Sequence, residues 1–170
     1  EIGIRTIFNI LGPLTNPAGA RRQVIGVYDP ALTDMLSKVL YNLGSAHAFV
    51  VWGEDGLDEI TLTDRTKVTE LKDGEIKTYH ISPEDFGFMR CSPGDLKGGG
   101  PEENAAIIME VLRGRPSPKK DVVILNAAAG LVVGGFAKNL REGAAVARWA
   151  IESGKAMKKL ESLRELTNAK

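Results

Sequence analysis

Apolar and polar positions along this chain switch repeatedly between short continuous runs and helical stripes. Gln23-Val24-Ile25-Gly26-Val27-Tyr28 is a compact run closed by Asp29-Pro30, which predicts a short buried strand over 23–28. Leu32, Met35, Leu36, Val39, Leu40 and Leu43 then recur in steps of three and four, one face of a helix that Gly44 terminates. His47-Ala48-Phe49-Val50-Val51-Trp52 is a second uninterrupted run, predicting another buried strand. Strand, helix and strand in this order make a βαβ unit, so the two strands are expected side by side and parallel.

Beyond a turn-rich acidic stretch, residues 67–71 and 75–79 flank Asp73-Gly74, a strong hairpin signal. Prolines and glycines dominate 82–101, which reads mainly as loop. Pro101 suits the first position of a helix, with Glu102 and Glu103 favourable at its positive end and Ala105, Ile108, Met109 and Leu112 as the predicted buried stripe. Residues 114–118 interrupt the pattern. From Asp121 the small apolar series through Leu125-Asn126-Ala127-Ala128-Ala129-Gly130 predicts a tightly packed buried helix ending at Gly134-Gly135. Two amphipathic helices near 140–152 and 154–167 close the chain. The expected fold class is α/β, a mostly parallel sheet flanked by helices.

Composition narrows the classes without choosing among them. Of 170 residues, 43% are hydrophobic and 26% charged, an ordinary globular balance with material for a core. Lys plus Arg and Asp plus Glu both number 22, so nucleic-acid binding has no global electrostatic support. No apolar run has the length of a membrane-spanning helix. Cys91 is the only cysteine, which excludes an internal disulfide and fits a reducing cytoplasm. The chain opens directly on the dense segment Thr6-Ile7-Phe8-Asn9-Ile10-Leu11-Gly12-Pro13, without an initiating methionine. Natural N-termini are usually looser, so residues 1–170 are expected to be part of a longer protein.

The sharpest chemical feature is Asp55-Gly56-Leu57-Asp58-Glu59-Ile60, placed just after a buried strand. In open α/β sheets, ligands sit beyond the carboxyl ends of strands. A regular strand would send Asp58 and Glu59 to opposite faces, whereas a bent loop lets both reach one cation, and oxygen ligands suit Mg²⁺. A solvated acidic loop would carry the same residues. Asn9-Ile10-Leu11-Gly12-Pro13-Leu14-Thr15-Asn16-Pro17 is stiffened by two prolines, fit either to wall a pocket for a flat substrate or to serve as a connector. Gly98-Gly99-Gly100-Pro101 precedes a helix but lacks a P-loop or dinucleotide signature, so it reads as structural. Asn104 and Asn126 read as capping or core-satisfying amides. His47 and His80 have no ligand-spaced partners, Cys91 has no activating base, and no nucleophile elbow is present, so no catalytic side chain is assigned.

Taken together, these segments resemble the anthranilate phosphoribosyltransferase family. The likeness rests on the run Gly3 to Ala18 and, at family-like spacing, on Gln23-Val24-Ile25-Gly26-Val27, Gly53 to Glu59, Pro83-Glu84-Asp85-Phe86-Gly87, Glu103-Asn104-Ala105 and Leu125-Asn126-Ala127-Ala128-Ala129. It covers essentially the whole chain. The resemblance implies the larger α/β domain of a nucleoside phosphorylase and phosphoribosyltransferase type of fold, here its C-terminal portion, with the smaller helical domain largely missing. It implies a cytoplasmic homodimer of tryptophan biosynthesis whose substrates are anthranilate and phosphoribosyl pyrophosphate (PRPP). Asp58 and Glu59 would hold Mg²⁺ against the pyrophosphate, and Pro13 would line the anthranilate pocket. The pyrophosphate-cradling glycine loop and the anthranilate-contacting arginine of the family would lie upstream of Glu1, so residues 1–170 alone are expected to be inactive. Trp52 departs from the family, where a His is expected before the glycine. A pyrimidine-nucleoside phosphorylase-like enzyme and a non-catalytic paralogue are the alternatives. The first would need a phosphate and nucleoside site that no residue here specifies, and the second would be favoured by loss of the Asp58-Glu59 pair, which is intact.

Overall fold

A computed structural model describes residues 17–169 together with residues 12, 14 and 15. The first strand, β1 (Arg22–Gly26), leads through helix α1 (Ala31–Asn42) into β2 (His47–Gly53). A hairpin follows, β3 (Thr66–Lys72) and β4 (Glu75–Ile81), and then helices α2 (Pro93–Leu96), α3 (Pro101–Leu112), α4 (Pro118–Gly134), α5 (Leu140–Glu152) and α6 (Lys155–Asn168). The four strands lie in the order β1-β2-β3-β4.

β1 and β2 are parallel neighbours, with Arg22 opposite His47 and Gly26 opposite Val51, as the strand–helix–strand pattern predicts. The expectation of a mostly parallel sheet is corrected: β2 pairs β3 antiparallel, and β3 pairs β4 antiparallel. The physical reason is connection length. The stretch between Gly53 and Thr66 holds no helix to carry the chain back across the sheet, so β3 returns directly alongside β2. Asp73 and Gly74, both at positive φ, then reverse the chain again within two residues. The sheet is therefore mixed.

β2 is buried along nearly its whole length because both of its faces are covered. Phe49 and Val51 face a core shared with Ile124, Leu125, Ala128 and Val132 of α4 and Ala144 and Ala147 of α5. Ala48 and Val50 face the opposite way, against Leu36 and Leu40 of α1. The result is three layers, α1, sheet and α4–α5. The close approach of α5 to α4 depends on Gly143, where a Cβ would stand 2.8 Å from the Ala128 carbonyl oxygen.

Two predicted stripes are rotated. In α1 the buried residues are Thr33, Leu36, Ser37 and Leu40, while Met35 and Leu43 are exposed. Thr33 donates to the Pro30 carbonyl at 2.9 Å, and Ser37 reaches Thr69 O of β3 at 3.4 Å, so small hydroxyl residues satisfied by backbone occupy the sheet-facing positions. In α3, Val111 is the buried residue and Ile107 packs beside the core, whereas Ala105 and Ile108 are exposed. The helix packs against α4, α5 and α6, and Ile107 and Val111 are the residues turned to the core, a different arc from the predicted one. The stretch 82–101 contains two short helical turns, at Pro83–Phe86 and Pro93–Leu96, each opened by a serine and aspartate capping box. The stop of α4 at left-handed Gly135 matches the predicted helix, but its start is earlier than the expected Asp121: Pro118 takes the first position and the Ser117 side chain caps Lys120 N.

Candidate functional site

Because β1 and β2 run parallel, Gly26 and Gly53 bring both carboxyl ends to the same edge of the sheet. The acidic loop leaves β2 there. Gly53 N donates to Leu57 O at 2.8 Å and Gly56 N to Gly53 O at 2.8 Å, which folds the chain back immediately after the strand. Asp55 is committed to this turn. Its Oδ1 accepts from Leu57 N at 3.1 Å, its Oδ2 accepts from the Thr61 hydroxyl at 2.6 Å, and the Thr63 hydroxyl donates to the same oxygen. The base of the loop is closed by Arg65, whose guanidinium donates to both Glu54 carboxylate oxygens at 2.9 and 3.0 Å.

Asp55, Asp58 and Glu59 are all exposed, but with Asp55 bonded within the turn and Glu54 paired with Arg65, Asp58 and Glu59 are the uncommitted carboxylates of the loop. Among the described residues neither has a hydrogen-bond or ion-pair partner. Glu59 reaches solvent, yet partial burial raises its carboxyl above the usual range, and the neighbouring Asp58 charge pushes the same way. Two carboxylates on consecutive residues, with no counter-charge among the described residues, are an arrangement that a cation relieves.

The backbone beneath the pair is fixed from two directions. From β1, Gly26 abuts Asp58 so closely that a Cβ there would lie 1.5 Å from the Asp58 carbonyl oxygen and 2.5 Å from its carbonyl carbon. From α4, the Asn126 side chain bonds both backbone polar groups of Ile60, at 3.0 and 2.8 Å. No local signal announces the Gly26 contact, since in the sequence the glycine reads only as part of a strand. Asn126 does stand out as the amide in a small apolar helix, a signal of a backbone needing partners. The Asp55-Gly56 pair likewise signals an Asx-turn.

Other singled-out residues lie apart from this loop or serve the fold. Pro13, with most of the run from Asn9 to Pro17, lies outside the described residues. His47 is buried and shares a 2.8 Å hydrogen bond with Glu70, whose other oxygen accepts from Tyr79 at 3.1 Å. His80 lies 3.5 Å from Glu54. Burial, then the Asp95 charge, pushes the Cys91 thiol up, so it stays protonated and is no activated nucleophile. Asn104 ties the glycine loop to α3 by accepting from Gly99 N at 2.9 Å and donating to Gly99 O at 2.8 Å. Trp52, where the family resemblance calls for His, packs on the α1 side, and its indole N–H is buried without a partner among the described residues. A cavity of about 900 Å³ lies elsewhere, between the β3–β4 hairpin and the start of α5, with Glu70, Tyr79, Lys138 and Arg141 on its wall.

The donor set at the tip is all oxygen, which suits a hard divalent cation such as Mg²⁺. No cluster of three or more His, Cys, Asp or Glu side chains suited to a metal occurs among the described residues. Asp58 and Glu59 would therefore supply part of a coordination shell, the rest coming from water and ligand oxygens, as Mg²⁺ usually prefers.

Comparison with known proteins places this geometry in context. The model of the glycosyl transferase family, a/b domain, matches residues 1–157. An anthranilate phosphoribosyltransferase of Methanobrevibacter smithii is 54% identical over 169 residues, covering 99% of this chain and 50% of that protein. One from Acetivibrio thermocellus is 51% identical over 169 residues, covering 99% of this chain and 49% of that protein. The chain spans about half the length of the curated relatives it matches. Among solved structures, anthranilate phosphoribosyltransferase from Thermus thermophilus aligns with a TM-score of 0.84 at 42% identity, over 94% of this chain and 47% of that one. The Saccharomyces cerevisiae enzyme in complex with PRPP and Mg aligns with a TM-score of 0.83 at 33% identity, over 94% of this chain and 46% of that one.

Proposed function

Since the chain belongs to the glycosyl transferase family, a/b domain, we propose that it is the C-terminal part of the α/β catalytic domain of an anthranilate phosphoribosyltransferase. The reaction is transfer of the phosphoribosyl group from PRPP to the amine of anthranilate. The observation that carries this reading is the Asp58-Glu59 pair, without a partner among the described residues, lying at the carboxyl ends of the two parallel strands in a chain 54% identical to a named anthranilate phosphoribosyltransferase.

In this reaction the amine nitrogen forms a bond to the anomeric carbon while the bond from that carbon to the pyrophosphate oxygen breaks. The amine then sheds a proton. Charge accumulates on the leaving pyrophosphate, and bound Mg²⁺ supplies the neutralisation that makes this departure easier. Asp58 and Glu59 are the residues that would hold it, and the neighbouring Gly26 and Asn126 contacts fix the backbone that carries them. An aryl amine is already a neutral nucleophile, so the chemistry does not demand a strong base. That agrees with the structural roles of His47 and Cys91. Pro13 is proposed to line the acceptor pocket. That placement, like the homodimer and the cytoplasmic setting, rests on the family resemblance. No helix among the described residues is long and apolar enough to cross a membrane.

The test is the double substitution Asp58→Asn with Glu59→Gln in the full-length enzyme. It keeps size and polarity but removes both charges. PRPP binding should lose its Mg²⁺ dependence and turnover should fall by about 100-fold or more, the scale of a removed charge-stabilising interaction. A Mg²⁺ dependence equal to that of the native enzyme would refute the assignment. Thymidine with phosphate, tried beside anthranilate with PRPP, separates this reading from a pyrimidine-nucleoside phosphorylase.

A further inference from the structure

We propose that Asn126 is a positioning residue for the acidic pair, acting through the backbone of Ile60. The inference rests on the reading of Asp58 and Glu59 as Mg²⁺ ligands and extends it to a residue 66 positions from Ile60 in sequence.

Asn126 sits on the sheet-facing layer of α4 between buried Leu125 and buried Ala128. Its Oδ1 accepts from Ile60 N at 3.0 Å, and its Nδ2 donates to Ile60 O at 2.8 Å. The second Nδ2 hydrogen goes to Val122 O, one helical turn back, at 3.0 Å. The amide thus spends both donors and one acceptor on backbone. A flipped amide would set NH₂ against the Ile60 N–H and the carbonyl against two other carbonyl oxygens, so the orientation is fixed by its partners.

Ile60 is fully buried and directly follows Glu59. It makes no ladder bonds, because the chain here lies between β2 and β3. Its N–H and C=O would be unsatisfied in the core without Asn126, and leaving such groups buried and unpaired is unfavourable. One side chain therefore satisfies both groups and fixes Ile60 along its backbone direction as well as in depth. The Glu59 carboxylate hangs one residue away, and the Asp58 carbonyl is wedged against Gly26 at the other end. The backbone that carries the two carboxylates is thus held between β1 and α4. Neither of the side chains nearest in shape can replace this amide. Leucine offers no polar atom, and aspartate would face the Ile60 carbonyl with a second negative oxygen.

The experiment uses the full-length enzyme with Asn126→Ala, and as a control Ile124→Ala, which hollows the same helix without removing a hydrogen bond to the Ile60 backbone. PRPP binding is measured by calorimetry across a Mg²⁺ series with no anthranilate present, and Tm is recorded for each variant. Asn126→Ala should raise the Mg²⁺ concentration for half-maximal PRPP binding by about 10–100-fold, the usual consequence of losing a residue that orients metal ligands. Turnover should recover substantially at high Mg²⁺. Ile124→Ala should lower Tm at least as much while leaving the Mg²⁺ requirement within about twofold of native, given that core truncation acts mainly on stability. A lowered Tm in Asn126→Ala with a native Mg²⁺ requirement overturns the proposal. The Asp58→Asn, Glu59→Gln enzyme run in parallel separates the two failures. If it loses Mg²⁺ dependence while Asn126→Ala keeps it, the positioning role is wrong. If it too keeps native Mg²⁺ dependence, the metal reading is wrong and the positioning role falls with it.

Discussion

The contact between Gly26 and Asp58 makes a single methyl group an unusually sharp probe. In Gly26→Ala the new Cβ would meet the Asp58 carbonyl oxygen at 1.5 Å, whereas ordinary van der Waals contact begins near 3.4 Å. Roughly 2 Å of separation must be found between two stretches of backbone, and neither is the free end of a side chain. The Asp58 side cannot yield cheaply, because Ile60 is anchored two residues on and Leu57 is hydrogen-bonded to Gly53. The β1 side is an edge strand, but it is paired to β2 over five residues, and Arg22 donates to Val133 O of α4 at 2.6 Å. Overpacking of this kind costs about 1–3 kcal/mol, which in a domain of this size lowers Tm by several degrees. The functional effect should be larger. A misplacement of about 1 Å in a catalytic constellation can cost about 100-fold in rate, so turnover at fixed Mg²⁺ should fall by at least that factor. The assay is turnover across a Mg²⁺ series with Tm alongside, in the full-length enzyme. Native Mg²⁺ dependence together with a native Tm would show that the loop is not wedged against β1, and the account of how the acidic pair is held would fail.

Two further predictions concern the scaffold. Asp34 accepts from Lys67 at 2.7 Å and from the Thr78 hydroxyl at 2.9 Å, and its Lys67 hydrogen bond holds its carboxyl below the ordinary 3.8 despite the opposing effect of burial. A depressed folded-state pKa stabilises above the unfolded value and is lost as pH falls through the folded one. Asp34→Asn should therefore lose at most about 1 kcal/mol near pH 7, as expected of a solvent-screened pair. Its urea-unfolding curves should converge with native below about pH 3.8. A difference that persists unchanged at lower pH would assign the loss to packing instead. At the start of α5, Asn139 Oδ1 accepts from Glu142 N at 2.9 Å while the Glu142 carboxylate accepts from Lys138 N at 2.9 Å. Asn139→Ala should cost about 1 kcal/mol, readable as a shifted denaturant midpoint with unchanged slope, and a midpoint equal to native would refute the cap.

Local patterns determined a large part of this molecule. A continuous apolar run marked β2 because a strand covered on both faces needs apolar residues at every position, whereas β1, expected to be buried over 23–28, spans Arg22–Gly26 at the end of the strand order with only Ile25 buried. Asp73-Gly74 marked the hairpin because few other pairs adopt positive φ in succession. Pro101, Gly44 and Gly135 punctuated helices for reasons internal to each helix end. The Asp58-Glu59 pair was also legible, as a compact acidic motif after a strand.

Tertiary structure decided the rest. The sheet is mixed because the 54–65 segment turns back beside β2 without a crossover helix, which strand-by-strand periodicity does not encode. The buried faces of α1 and α3 were set by what each helix meets. Thr33 and Ser37 could go inward only because backbone acceptors stand opposite or one turn behind. The acidic loop divides its carboxylates by the same logic. Asp55 is consumed by Thr61 and Thr63 and Glu54 by Arg65, whereas Asp58 and Glu59 have no partner among the described residues, and the backbone beside them is held by Gly26 against the Asp58 carbonyl and by Asn126 on Ile60. The Asp55 and Glu54 partners are local to the loop, but Gly26 and Asn126 lie tens of residues from it, and only the packing of β1 and α4 around this short segment brings them against Asp58 and Ile60.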